Sequence, residues 1–142
     1  MFFFFIIFCL FILRVIAEDI ANPSNLSGYH FAEPSTQEMQ DDDFLNPGLL
    51  WVDKGEILWK KKMGSIENNS CQSCHGEINN LEGVSLSYPK VDQHSKQLIN
   101  LEQRINLCRK KHLKLNALSP EHDELLSLST FISYQSRGMK MK

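Results

Sequence analysis

Cys71-Gln72-Ser73-Cys74-His75 is the stretch of this chain whose residue types and spacing speak most directly of chemistry. Two thiols three positions apart can reach the two vinyl groups of one porphyrin and form thioethers, and the adjacent imidazole is then brought beneath the iron. The motif therefore implies one covalently attached haem c, held by Cys71 and Cys74, with His75 as an axial ligand. Three other readings fit less of the sequence. A C-x-x-C redox pair expects a surrounding β-α-β pattern, which is missing. Structural zinc needs two further ligands, and only Cys108 plus an isolated histidine could supply them. A structural disulfide uses the two cysteines but leaves His75 a coincidence.

The second axial position stays open on the residues alone, because a thiolate, a thioether or an imidazole can each bind haem iron and tune its potential differently. Candidates are Cys108, Met63, Met139, His94, His112 and His122. Met63 falls at a helix end before the motif, Met139 in a basic tail, and the three histidines in polar or charged stretches. Cys108 is the leftover thiol and falls on the apolar face of a short helix. Arg109, next to it, is placed to help hold it as thiolate, against the alternative of an inert buried cysteine. Arg104, one turn earlier, is placed to contact a haem propionate, with a plain surface cation as the alternative.

These residues need elements to position them. Asn46-Pro47 reads as a helix start, since Asn caps free amides and Pro is tolerated in the first turn. Trp51, Gly55, Leu58 and Trp59 then form a stripe at helical spacing, predicting a helix to about Lys62 that ends near Gly64. Lys60-Lys61-Lys62 sits where cations favour the carbonyl end of the helix dipole. Ser65 to Asn69 is a polar loop, and Ile78 to Ser95 lacks periodicity and is expected to wrap. Leu101, Ile105 and Cys108 recur at i, i+4 and i+7 of a short helix. Ser119-Pro120-Glu121 repeats the cap-then-proline signature before a last helix striped by Leu125, Leu128, Phe131 and Ile132 and closed by Gly138. No segment alternates as a multi-stranded sheet would. The expected fold is mostly α: a single cytochrome c-like helical domain over residues 46–142, whose few helices would be under-packed without a prosthetic group between them.

With 142 residues the chain has room for that one domain. Residues 1–17 are an apolar run with Arg14 near its end, read as a signal peptide cleaved near Ala17. The run is shorter than the roughly 20 apolar residues of a bilayer span, so no permanent membrane anchor is expected. Export to the periplasm follows, and with it an oxidising environment for Cys71, Cys74 and Cys108. Residues 18–45, polar and carrying Asp41-Asp42-Asp43, are expected to be an extended lead-in segment. A formal net charge of −2 gives no reason to expect nucleic acid as a partner.

Several blocks together resemble the SoxA family, the larger cytochrome subunit of the SoxAX complex of bacterial thiosulfate oxidation. They are Gln40-Asp-Asp-Asp-Phe-Leu-Asn-Pro-Gly-Leu-Leu-Trp-Val52, the haem motif with Gly76, Asn100-Leu-Glu-Gln-Arg-Ile-Asn-Leu-Cys-Arg109, and Gln135-Ser-Arg-Gly138. The resemblance implies a heterodimer with a SoxX-type cytochrome and a SoxYZ-type carrier whose cysteine receives thiosulfate, an S-thiosulfotransfer that releases two electrons to haem. It also implies that Cys108 is the distal ligand of the first-domain haem. Members usually continue into a second cytochrome-like domain that holds the active site. This sequence has one C-x-x-C-H and matches the first domain, which is associated with electron transfer or structural support. The alternative from the residues alone is a stand-alone single-haem electron carrier.

Overall fold

Residues 28–63 and 69–139 are described by the computed structural model. The expected signal peptide, the start of the lead-in and most of the polar loop before Asn69 lie outside them. Gly28–Phe31 is a single 3-10 turn belonging to a unit of its own. The second unit starts at Glu33 and carries all the elements that follow.

Helix α1 spans Pro34–Asp41, so this part of the lead-in is helical rather than extended. It buries no residue, which is why no apolar periodicity announced it; Pro34 in the first turn supplies a preset φ. Helix α2, Gly48–Lys60, begins where Asn46 Oδ1 accepts the Gly48 N–H at 2.9 Å. It ends two residues short of the expected Lys62, since Lys61 is already extended, with ψ 124. Helix α3 is the haem motif itself, Cys71–His75, and α4 is Leu101–Cys108. A π-helical turn, Arg109–Leu113, continues α4 without a break. Helix α5 runs Asp123–Tyr134. Its cap is His122, whose Nδ1 accepts the Glu124 N–H, rather than the Ser119-Pro120 pair expected from sequence. Pro120 and Glu121 form a turn that precedes the cap. Between α3 and α4 the chain wraps through short 3-10 turns, as its lack of periodicity suggested. The strands described there are β1, Lys90–Val91, and β2, Leu98–Ile99, paired antiparallel with Lys90 opposite Ile99.

The core is the junction of α2, α4 and α5. Leu58, Trp59, Leu101, Ile105, Leu125, Leu128, Phe131 and Ile132 form one buried cluster, each such side chain contributing about 1.5–3 kcal/mol by leaving water. All four predicted stripe residues of α5 are in it, and so are Leu58 and Trp59 of the α2 stripe. Gly55 is where α2 and α5 touch backbone to backbone: a Cβ there would lie 2.2 Å from Ser127 O and 2.5 Å from Phe131 Cβ. Ser127 stays in this contact by turning its hydroxyl inward, donating to Asp123 O at 2.7 Å. Among the described residues no helix is long and apolar enough to cross a membrane.

Candidate haem site

Ser70 determines how the motif is presented. Its Oγ accepts the Ser73 N–H at 3.0 Å while Ser73 Oγ accepts the Ser70 N–H at 2.9 Å, a reciprocal cap that starts a helix of little more than one turn. On that turn Cys71 and Cys74 are three residues apart and therefore on one face. The helix must stop directly after His75. Gly76, at φ 73, makes the exit in a conformation side chains resist, and Asn80 Nδ2 donates to His75 O at 3.2 Å. His75 then lies beside Trp59, ring centroids 5.7 Å apart.

A cavity of about 230 Å³ opens against this face. Its walls come from α3, from α4 with its π-turn, and from the core itself: Trp59, Leu101, Ile105, Leu128 and Ile132 belong both to the buried cluster and to the lining. Cys71, Cys74, His75, Cys108 and Arg104, the site residues expected from sequence, all line it. Of the six distal candidates, Cys108 and His112 line the cavity, whereas Met63, Met139, His94 and His122 do not. His122 is instead the cap of α5. Cys71, Cys74 and Cys108 are free thiols. Among the described residues no group of three or more His, Cys, Asp or Glu could hold a bare metal ion, which removes support for the zinc reading.

Burial pushes the Cys71 thiol up to about 11, with nearby Arg109 pulling the other way. Burial also raises Cys108, opposed by Arg104, and the neighbouring Cys74 adds to the rise. Both sulfurs are therefore protonated at neutral pH in the protein alone, and a thiolate at Cys108 has to be made by coordination, which deprotonates a ligating thiol. The two arginines divide the work differently from the expectation. Arg104 Nη2 donates to Asp92 Oδ1, so it already has a carboxylate partner, and its charge bears on Cys108. Asp92 is buried and held well below the usual carboxylate range, first by the Ser95 backbone N–H and then by Arg104. Arg109 bears on Cys71, is itself buried, and leaves Nε and Nη1 without a partner. Trp59 Nε1 is likewise buried and unpartnered. Two thiols one turn apart, an adjacent imidazole, apolar walls and donors awaiting acceptors are the features a haem requires of its pocket.

The sequence profile described as SoxA/TsdA, cytochrome c domain, matches residues 54–141. The chain belongs to this family. A cytochrome c domain is a haem c-binding fold, and the lining of the cavity suits that cofactor. The SoxA subunit of L-cysteine S-thiosulfotransferase from Paracoccus pantotrophus is 35% identical over 113 residues, covering 80% of this chain and 39% of the relative. The same subunit from Pseudaminobacter salicylatoxidans is 35% identical over 118 residues, covering 82% and 41%. Among solved structures, SoxXA from P. pantotrophus superposes with a TM-score of 0.73 at 34% identity, over 82% of this chain and 44% of that one. The chain thus spans about two fifths of the length of the curated relatives it matches.

The sequence places Arg109 beside the Cys108 sulfur; in the structure its charge bears on Cys71 instead, and Arg109 and Leu113 are buried while Lys110, Lys111 and His112 are exposed. Spacing of four between Ile105 and Arg109 was the available signal, since it continues the apolar face of α4 one turn further.

Proposed function

We propose that this chain is the first, haem-bearing domain of a SoxA-type subunit of an L-cysteine S-thiosulfotransferase, exported to the periplasm after cleavage near Ala17. It carries one haem c, joined to Cys71 and Cys74 and ligated by His75 and Cys108. The observation that carries this reading is the convergence of Cys108 with Cys71, Cys74 and His75 on one cavity, from segments more than thirty residues apart. Haem, when bound, supplies a one-electron couple, and an anionic sulfur ligand favours its ferric state and so a low potential.

The chain's own residues act by holding and shielding. Ser70 and Gly76 set both ends of the turn that presents the thiols. Trp59 packs against the His75 ring and limits its rotation. Arg104, held by Asp92, keeps a cation near the Cys108 sulfur. Leu101, Ile105, Leu128 and Ile132 give the cavity a buried apolar wall. None of these groups is a nucleophile or base for sulfur transfer. Coupling of thiosulfate to a SoxYZ-type carrier cysteine is therefore assigned to the assembly with a SoxX-type cytochrome and the remainder of a SoxA-like subunit, and this domain alone is expected to be inactive. Co-expression with a SoxX-type cytochrome in a host that matures c-type haem tests the assignment. A stable heterodimer is expected; a haem-loaded chain that stays a free monomer would leave the stand-alone electron carrier as the better account.

A further inference from the structure

From Gln103 to Pro120 the chain carries five Lys and Arg residues and no Asp or Glu, although the whole protein has a formal net charge of −2. The fold treats those cations unequally. Arg104 is paired with Asp92 and Arg109 is buried, so the charge that reaches solvent is that of Lys110, Lys111 and Lys114, all exposed. Among the described residues Lys54, Lys60, Arg104 and Arg137 each have a carboxylate partner, and these three lysines have none. A helix end attracts cations, which accounts for one or two of them near the last carbonyls of α4. Lys114 goes further: it closes the π-turn in a left-handed conformation, at φ 56, where glycine is the residue of least strain, so the run stays cationic even where its backbone favours another residue. The patch borders the cavity. Cys108, Arg109, His112 and Leu113 line it, His112 is also exposed, and the Lys111 charge bears on the Cys108 sulfur. Leu107, 41% exposed, precedes Lys110 by three residues and Lys111 by four, a spacing that sets an apolar side chain beside the cations.

We propose that Lys110, Lys111 and Lys114, with Leu107, form the docking surface for an electron-transfer protein that carries an acidic face around its own redox centre. This rests on the haem reading above and goes beyond it by naming the surface through which electrons are exchanged. Unpaired surface cations add little to stability, but they steer a partner of opposite charge. Steering matters most where a partner must come and go quickly, and redox encounters are of this kind, small in area and short-lived. An electron tunnels only over short distances, so the partner has to settle against the border of the cavity, and the π-turn is where this chain presents charge beside it. In the encounter one electron passes from the ferrous iron of the holoprotein to the oxidised centre of the partner; one centre is oxidised, the other reduced, and no atom or proton is transferred. Leu107 supplies the part of the surface that leaves water on contact.

The test uses dithionite-reduced holoprotein, freed of excess reductant, and oxidised plastocyanin, an acidic blue-copper protein, as the probe. Stopped-flow absorbance gives the second-order rate constant. For the wild type it is expected to fall about tenfold as ionic strength rises from roughly 0.01 to 0.15 M and the Debye length shrinks from about 30 to 8 Å. Lys110→Glu/Lys114→Glu should be slower by about tenfold at low salt and nearly insensitive to salt, whereas Lys110→Arg/Lys114→Arg should keep the wild-type rate. Lys111 is left in place because its charge bears on Cys108; the midpoint potentials of both variants should match the wild type, so that any change in rate is one of encounter and not of driving force. Ferric holoprotein should be retained on immobilised plastocyanin at low salt, and the Glu pair should not. Should the Glu pair not accumulate, Lys110→Glu and the salt dependence of the wild type decide. A wild-type rate indifferent to salt, or a Glu pair as fast as the wild type, overturns the docking surface. In that event, sedimentation with phosphatidylglycerol vesicles, or as a wild-type dimer lost in the Glu pair, would name a membrane or a second copy as the occupant. A wild-type chain without covalent haem overturns the haem reading instead, and shows itself in the absorption spectrum before any mixing.

Discussion

Replacing Gly55 with alanine adds one methyl group at the point where α2 and α5 have no space for it. The new Cβ would lie 2.2 Å from Ser127 O, 2.9 Å from Ser127 C and 2.5 Å from Phe131 Cβ. Two of these are backbone atoms of a helix interior, so no rotamer change relieves the clash, and the helices must separate by about 1 Å to restore van der Waals distance. Overpacking a core costs roughly 1–3 kcal/mol, and a backbone obstacle puts this site at the upper end. Alanine returns about 1 kcal/mol through helix propensity. The expected net loss is about 2 kcal/mol, equivalent to a melting temperature lower by roughly 8 °C for a domain of this size. Because Trp59 on α2 and Leu128 and Ile132 on α5 also line the haem cavity, the separation should widen the pocket as well. Chemical denaturation of haem-loaded Gly55→Ala and wild-type protein measures the first effect, and the Soret position reports the second. A Gly55→Ala variant within 0.5 kcal/mol of wild type would show that the contact between α2 and α5 is not as close as described.

Ser70→Ala removes the acceptor for the Ser73 N–H and should cost about 1 kcal/mol, with less efficient haem attachment read as haem per chain; full attachment and unchanged stability would refute the role of the cap. Asp92→Asn should destabilise the fold at neutral pH, as seen by urea midpoint. The Asp92 carboxyl titrates below its unfolded value in the folded chain, so its contribution is complete above about pH 4. It is lost as pH falls further, and the gap between variant and wild type should close under acid; a gap independent of pH would contradict the pairing with Arg104. Cys108→Met exchanges an anionic for a neutral sulfur and should raise the midpoint potential; an unchanged potential in redox titration removes Cys108 from the ligand set and leaves His112, the other distal candidate on the cavity wall.

What the sequence showed well was whatever repeats with helical spacing. The α5 stripe and the Leu101, Ile105 and Cys108 face are visible because each buries one side against the same core. The C-x-x-C-H run is visible because covalent attachment tolerates little change in spacing. Less legible were features made by contacts distant in sequence or too short to be periodic. Helix α1 has no buried face and so no pattern. The two-residue strands cannot display alternation. His122 replaced Ser119 as the cap of α5 because the turn at Pro120 and Glu121 delays the helix. Asp92 becomes the partner of Arg104 only once the segment between them folds back, and nothing in their types foretells it. Arg109 is the sharpest case: its place next to Cys108 in the chain pointed to that sulfur, whereas the fold buries it with its charge on Cys71.

The central claim is a porphyrin bonded to Cys71 and Cys74 in the cavity that also gathers His75 and Cys108. The direct measurement is the pyridine haemochrome spectrum of the acid-acetone-extracted, denatured chain from a host competent in c-type maturation, with Cys71→Ala/Cys74→Ala as control. The account predicts about one haem per chain that survives extraction, a c-type band position and complete loss of covalent haem in the control. Colourless wild-type protein, or haem that extracts freely into the acetone, would contradict it.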